Sequence, residues 1–167
     1  VKIRVTATEL DTGIKLSTFD RKTGEAIVIQ NNRIYTSDCL YRNKVGELFY
    51  THPNKSVYYA TRWIPDPDKI LYIAVDGAWI SDGTTRRQTK EGSWGKNTTP
   101  THGLNMFVAE DNIVLVGTYT AAKSSTAESS LWLSRDYGEN FERIFNSSVD
   151  SINPENCHLH SCAYDKY

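Results

Sequence analysis

The residues best suited to chemistry lie late in the chain. His158 and His160 stand two apart, so on an extended strand their imidazoles share one face about 7 Å apart, and Cys162 continues that face. A His-x-His pair can hold zinc if a third ligand joins it, and His102 is the natural third. The cluster Cys157, His158, His160 and Cys162 lacks the spacing of a metal finger, and Cys157 would point to the opposite face. Metal, polar-ligand and structural roles stay open for these imidazoles; the reading adopted is polar-ligand binding, with no metal and no other cofactor. Arg62, in "TRWIPDPDK", offers a guanidinium able to grip a carboxylate bidentately. Trp94 lies among glycines and polar residues in "KEGSWGKNTTPTHG", where an exposed indole suits a sugar ring and an indole folded back on its own strands is the alternative. The expected ligand-binding set is thus His102, His158, His160, Arg62 and Trp94. Asp66, Asp68, Asp76, Asp111 and Asp165 are candidate carboxylates, but they sit in turn-like sequence, where Asp ordinarily satisfies loop backbone.

Strands must position these groups. "AIVIQ", "RIYTS", "KILYIAV", "GAWIS", "NIVLVGTY" and "SLWLS" are short runs of branched and aromatic residues bounded by turn formers. No stretch carries the 3.6-residue apolar period of a helix, and "AAKSSTAESS" reads as a loop because its serines compete for backbone bonds. "IPDPD" reads as a rigid turn, and Arg86, Arg87 and Lys90 as a solvated hairpin. The strands recur in blocks with a common order: first strand, acidic turn, apolar strand, then a strand ending in Ser. Approximate bounds are 1–50, 51–95 and 96–150, with 151–167 opening a further block. Units of this size, with about four strands each, suit the blades of a β-propeller. Trp79 and Trp132 take corresponding places before the terminal serines of "WIS" and "WLS", which predicts packing between blades. First strands of adjacent blades converge on a central channel, which would gather His102, His158, His160 and Arg62 on one face, with Trp94 on a loop able to overhang it.

"SRDYGENF" fixes the reading of the last full block. Ser134, Asp136, Gly138 and Phe141 fit the pattern Ser-x-Asp-x-Gly-x-x-aromatic. An Asp side chain accepts backbone N–H bonds in a tight turn, Gly supplies φ > 0, and the aromatic packs the returning strand. Calcium would need several oxygen ligands at alternate positions, and after Asp136 the segment offers only Glu139. "YRNKVGELF" in the first block is a worn parallel, with Arg42 opposite Arg135 and Asn43 opposite Asp136.

The pattern resembles the Asp-box, or BNR repeat, of sialidase-like β-propellers. That resemblance implies an all-β propeller, the motif folding the hairpin between the third and fourth strands of a blade. It also implies a possible glycoside hydrolase, because catalytic members carry Arg-Ile-Pro, an arginine triad, an Asp acid/base and a Tyr nucleophile activated by Glu. Here Arg62, Ile64 and Pro65 are interrupted by Trp63, and no complete catalytic constellation is recognisable. Carbohydrate is therefore the expected partner, bound by a module of an extracellular or surface protein; a structural or adhesive propeller module is the alternative.

Composition narrows the rest. The 167 residues carry a net charge of −1, which gives no basic field for nucleic acid and no polybasic signal for an anionic membrane. No apolar run is long enough to insert into a membrane as a helix. Cys39, Cys157 and Cys162 form no disulfide framework, and the sequons at Asn54, Asn97 and Asn146 are near the number chance supplies in a chain so rich in Ser and Thr. Three blades and part of a fourth do not close a ring, so a fragment or a self-associating chain is expected, with further blades or further copies as partners.

Overall fold

A computed structural model describes residues 14–19, 24–37, 46–53, 56–91, 94, 107–118 and 129–150. Among these the fold is all-β, apart from one helical turn at Ser147–Asp150. Twelve strands form three antiparallel four-stranded sheets, each a simple meander in chain order. Sheet 1 comprises β1 (Ile14–Phe19), β2 (Ala26–Gln30), β3 (Arg33–Ser37) and β4 (Glu47–Thr51). Sheet 2 comprises β5 (Val57–Trp63), β6 (Asp66–Ala74), β7 (Gly77–Ser81) and β8 (Arg86–Glu91). Sheet 3 comprises β9 (Phe107–Glu110), β10 (Ile113–Gly117), β11 (Ser130–Ser134) and β12 (Glu142–Asn146). "IPDPD" is shorter as a turn than its two prolines suggest: Trp63 pairs with Asp66 across Ile64 and Pro65, and Pro67 falls where the ladder is interrupted.

Antiparallel connection gives every sheet two ends. Third strands finish on the buried serines Ser37, Ser81 and Ser134, so the turns into the fourth strands mark a serine end. The turns from first to second strands lie at that same end. Each first strand begins at the opposite, lead end, where the second strand of sheets 1 and 2 turns into the third.

Alternation along the strands divides the described core into two seams between sheets and a third cluster, Ile113, Leu115 and Leu133, on the other face of sheet 3. Ile27, Ile29 and Ile34 of sheet 1 meet Val57, Ala60, Ile70, Tyr72 and Ala74 of sheet 2, with Trp79 packed alongside. The other face of sheet 2, through Leu71, Ile73, Ala78 and Ile80, meets Val114 and Val116 of sheet 3, Trp94 and the flanking Trp132 and Phe141. At a bulge in β1, Ser17 donates to Ala60 O at 2.7 Å and accepts from Ala60 N at 2.6 Å, which fastens the first strands of sheets 1 and 2 together.

A row of paired residues crosses the other face of sheet 1: Leu16, Val28, Tyr35 and Leu48. Val28 is buried, but Leu16 and Leu48 at the two edges are 50% and 55% exposed. At the close of sheet 3, Asn146 is buried, its backbone N–H donating to Asp150 Oδ2 at 2.6 Å.

Candidate functional site

The serine-end turn of sheet 3 is built around two side chains. Ser134 Oγ accepts from Gly138 N at 2.8 Å and donates to Asp136 Oδ1 at 2.7 Å. Asp136 then accepts from Asn140 N at 2.9 Å and from Asn140 Nδ2 at 2.7 Å. Burial alone would raise the Asp136 carboxyl, but the bonds from Asn140, Ser134 and Glu139 outweigh it and hold the group below the usual carboxylate range. Tyr137 and Gly138 take the left-handed backbone, at φ 61° and 86°. A Cβ on Gly138 would come within 2.9 Å of the Leu71 side chain in sheet 2, so the glycine serves the seam as well as the turn. Phe141 joins that seam. With its acceptor positions used locally, Asp136 organises a turn.

Sheet 2 repeats the device in a form the sequence reading passed over. Ser81 Oγ accepts from Gly83 N at 3.0 Å and donates to Thr85 O at 2.7 Å, while Asp82 Oδ1 accepts from Thr84 N and Thr85 N at 2.8 and 2.6 Å. These bonds, the Thr85 backbone bond foremost, lower the exposed Asp82 carboxyl to about 2. The signal was the Ser-Asp-Gly run itself, one residue tighter at each of its two steps than the motif in sheet 3.

Two expected ligand residues are structural. Arg62 does not open its block but lies near the exit of β5, five residues after Val57, at the serine end. Its guanidinium is held bidentately by Glu25 of sheet 1, with Nε–Oε2 at 3.0 Å, and that hydrogen bond raises its pKa further. The carboxylate expected from a ligand is thus supplied within the fold. Trp94 is fully buried rather than an exposed platform. Its Nε1 donates to Ala74 O at 2.8 Å, its backbone oxygen accepts from Trp132 Nε1 at 2.7 Å, and its ring meets Trp132 and Phe141 edge-on at 6.0 and 5.5 Å. His102, His158 and His160, like Cys39, Cys157, Cys162 and Asp165, lie outside the described residues.

The expected solvated hairpin is also differently employed. Arg87 pairs with Glu139 of sheet 3 and lies 5.4 Å from the Trp63 ring. A bulge at Thr89 turns Lys90 towards the same seam, with Nζ 4.6 and 4.3 Å from the Trp94 and Trp132 ring centres. Partial burial lowers the Lys90 ammonium to about 8. Arg86 faces the other way, 4.3 Å over the Trp79 ring.

Arg86 completes a polar cluster that spans sheets 1 and 2. Fully buried His52 presents Nδ1 to Arg86 Nη1 at 2.9 Å and to Tyr72 Oη at 3.1 Å, and Nε2 to Asp76 Oδ1 at 3.2 Å. A guanidinium only donates, so Nδ1 is the accepting nitrogen and Nε2–H donates to Asp76; the tautomer follows from the partners. Trp79 Nε1 donates to the same Asp76 oxygen at 3.2 Å, and Gln88 Nε2 donates to Asp76 O at 2.9 Å. A carboxylate, an imidazole and a phenol in line suggest proton relay, but His52 and Tyr72 are closed to any substrate. Burial pushes the Tyr72 phenol up, which keeps it neutral. The cluster is a clasp between two sheets. No local motif announced it, because His52 and Asp76 lie 24 residues apart and meet only when the sheets stack.

No group of three His, Cys, Asp or Glu side chains suited to a metal occurs among the described residues. No described helix is long and apolar enough to cross a membrane. No protein-family model and no curated protein matches the chain.

Proposed function

We propose that this chain contributes consecutive blades to a sialidase-like, Asp-box β-propeller, and that the propeller recognises carbohydrate at its lead end. The observation that carries the reading is the repeated meander whose third strand ends on a buried serine and an Asp-Gly turn, in sheets 2 and 3, with hydrogen bonds that leave the motif no free chemistry. The motif therefore belongs to the scaffold, and ligand recognition falls to the end where first strands begin. His102, His158 and His160 precede or open such strands in the sequence pattern and supply imidazoles for a polyhydroxylated or acidic sugar. Hydrolysis would need an acid, a nucleophile or base, and a substrate clamp together. The experiment is a glycan array with the complete protein, followed by the His102→Ala/His160→Ala double variant after its folding is confirmed. Binding lost in the folded variant supports the reading, and unchanged affinity overturns it.

A structural or adhesive propeller module is the second reading, and one observation favours it: Trp94 and Arg62, chosen as ligand residues, are both committed to seams between sheets. Array silence from a folded complete protein selects this alternative.

A further inference from the structure

His52 lies just past β4, where the chain leaves sheet 1 for sheet 2. Its backbone is pinned within sheet 1: N donates to Asn32 O at 2.8 Å, and O accepts from Asn32 Nδ2 at 2.7 Å. Its ring is fully buried, edge-on to Tyr72 and Trp79 of sheet 2 at 5.5 and 5.2 Å between centres. Close packing leaves the ring no alternative seat, so a change at its nitrogens must be met by the groups around it. Those groups come from sheet 2: Arg86 of β8 and Tyr72 of β6 at Nδ1, and Asp76 of the β6–β7 turn at Nε2. Tyr50 of β4 stands beside Tyr72, 6.0 Å away between ring centres.

This closed arrangement requires a neutral imidazole. Nδ1 must keep its lone pair to accept from Arg86 at 2.9 Å, and a proton there would meet a guanidinium that can only donate. Asp76 pulls the other way, since a carboxylate favours an imidazolium. Its pull is the weaker, because it already receives Nε2–H from the neutral ring and its side chain is 34% exposed, where solvent screens it. Burial sides with Arg86, as a ring with no exposed surface offers an added charge no water. Tyr72 brings no charge, being kept neutral by burial. Parted from sheet 2, the same ring regains water and binds a proton near the ordinary value of about 6.5. The closed form therefore has its full advantage above that value and loses it as pH falls, because the open form takes the extra proton.

We propose that His52 is an acid-sensitive latch, closed on sheet 2 at neutral pH and opened by mild acid, which loosens the seam between sheets 1 and 2. Two amides report on that seam: Val57 N donates to Asn31 O at 2.9 Å, and Ala60 N to Ser17 Oγ at 2.6 Å. Hydrogen exchange of the chain, corrected for its intrinsic pH dependence, should show their protection falling about tenfold from about pH 7.5 to about 5.5. Trp94 Nε1–H, bonded to Ala74 O at 2.8 Å in the other seam, should keep its protection over the same interval. In His52→Gln, which cannot titrate, the fall should vanish. In Arg86→Gln it should shrink by more than half, because the cation that opposes the proton is gone. Nitrogen-15 NMR of the wild-type ring needs no variant: Nδ1 should be bare and Nε2 protonated at neutral pH. A protonated Nδ1 there overturns the proposal. So does steady protection at Val57 and Ala60, an equal fall at Trp94, or an undiminished fall in either folded variant.

Discussion

Asp136 illustrates how a residue that resembles a catalytic acid is used up by its own turn. Asp136→Ala strands the N–H and side-chain amide of Asn140 and the hydroxyl of Ser134. It should cost about 1–3 kcal/mol in urea denaturation, with affinity for any lead-end ligand unchanged in the folded fraction. Asp82 gives the corresponding pH signature. Its folded carboxyl titrates at about 2, below the ordinary value, so its contribution is present above the ordinary carboxylate range and is lost as pH falls through about 2. Amide protection of Thr84 and Thr85 should therefore decline together towards pH 2, and in Asp82→Asn the loss should already be present at neutral pH. At this scale the sequence was legible where a group's partners are near in the chain, as with Ser134 and Asp136. It was illegible for Trp94, whose polar neighbours suggest solvent while its indole reaches Ala74, 20 residues back, and Trp132, 38 residues ahead.

Strand and turn placement was the clearest part of the sequence. "AIVIQ", "RIYTS", "GAWIS" and "SLWLS" are strands at their expected bounds, because alternation and turn formers are local signals. Bulges were not legible. The extra residue at Thr89 decides that Lys90 enters the seam between sheets 2 and 3 rather than solvent, and it follows from how β7 and β8 register. Gly77 sits at the start of that pair with φ 140°, and a Cβ there would stand 1.9 Å from Lys90 O. Gly77→Ala must therefore part β7 from β8 or distort both, and the loss should well exceed about 1 kcal/mol. Hydrogen exchange should show it first in the amides of Gln88 to Glu91, and an unaltered exchange pattern would contradict this geometry.

For the whole molecule, order along the chain becomes order in space. Sheet 1 stacks on sheet 2 and sheet 2 on sheet 3, through seams in which a tryptophan from the third strand, Trp79 or Trp132, has the matching place. Arg62 was misplaced at this level: the sequence locates it in a first strand, but only the antiparallel path shows that it leaves at the serine end. The row from Leu16 to Leu48 on the other face of sheet 1 retains exposed leucines at both edges. Self-association through this face is expected, with sedimentation coefficients that rise with concentration. Leu16→Lys/Leu48→Lys should remove that dependence, and a wild-type chain that stays monomeric at all concentrations would refute it.

The burial of Asn146 has a consequence for expression in a glycosylating host. That residue begins the triplet Asn146-Ser147-Ser148, which oligosaccharyltransferase reads in a nascent, still extended chain. In the finished fold Asn146 is shut in at the end of β12, and Ser147 Oγ accepts from Ser129 N at 2.9 Å. A glycan attached there would leave no room for sheet 3 to close. In a chain expressed through a secretory host, glycan occupancy at Asn146 should therefore be confined to misfolded molecules, and glycopeptide mapping of the folded fraction checks it.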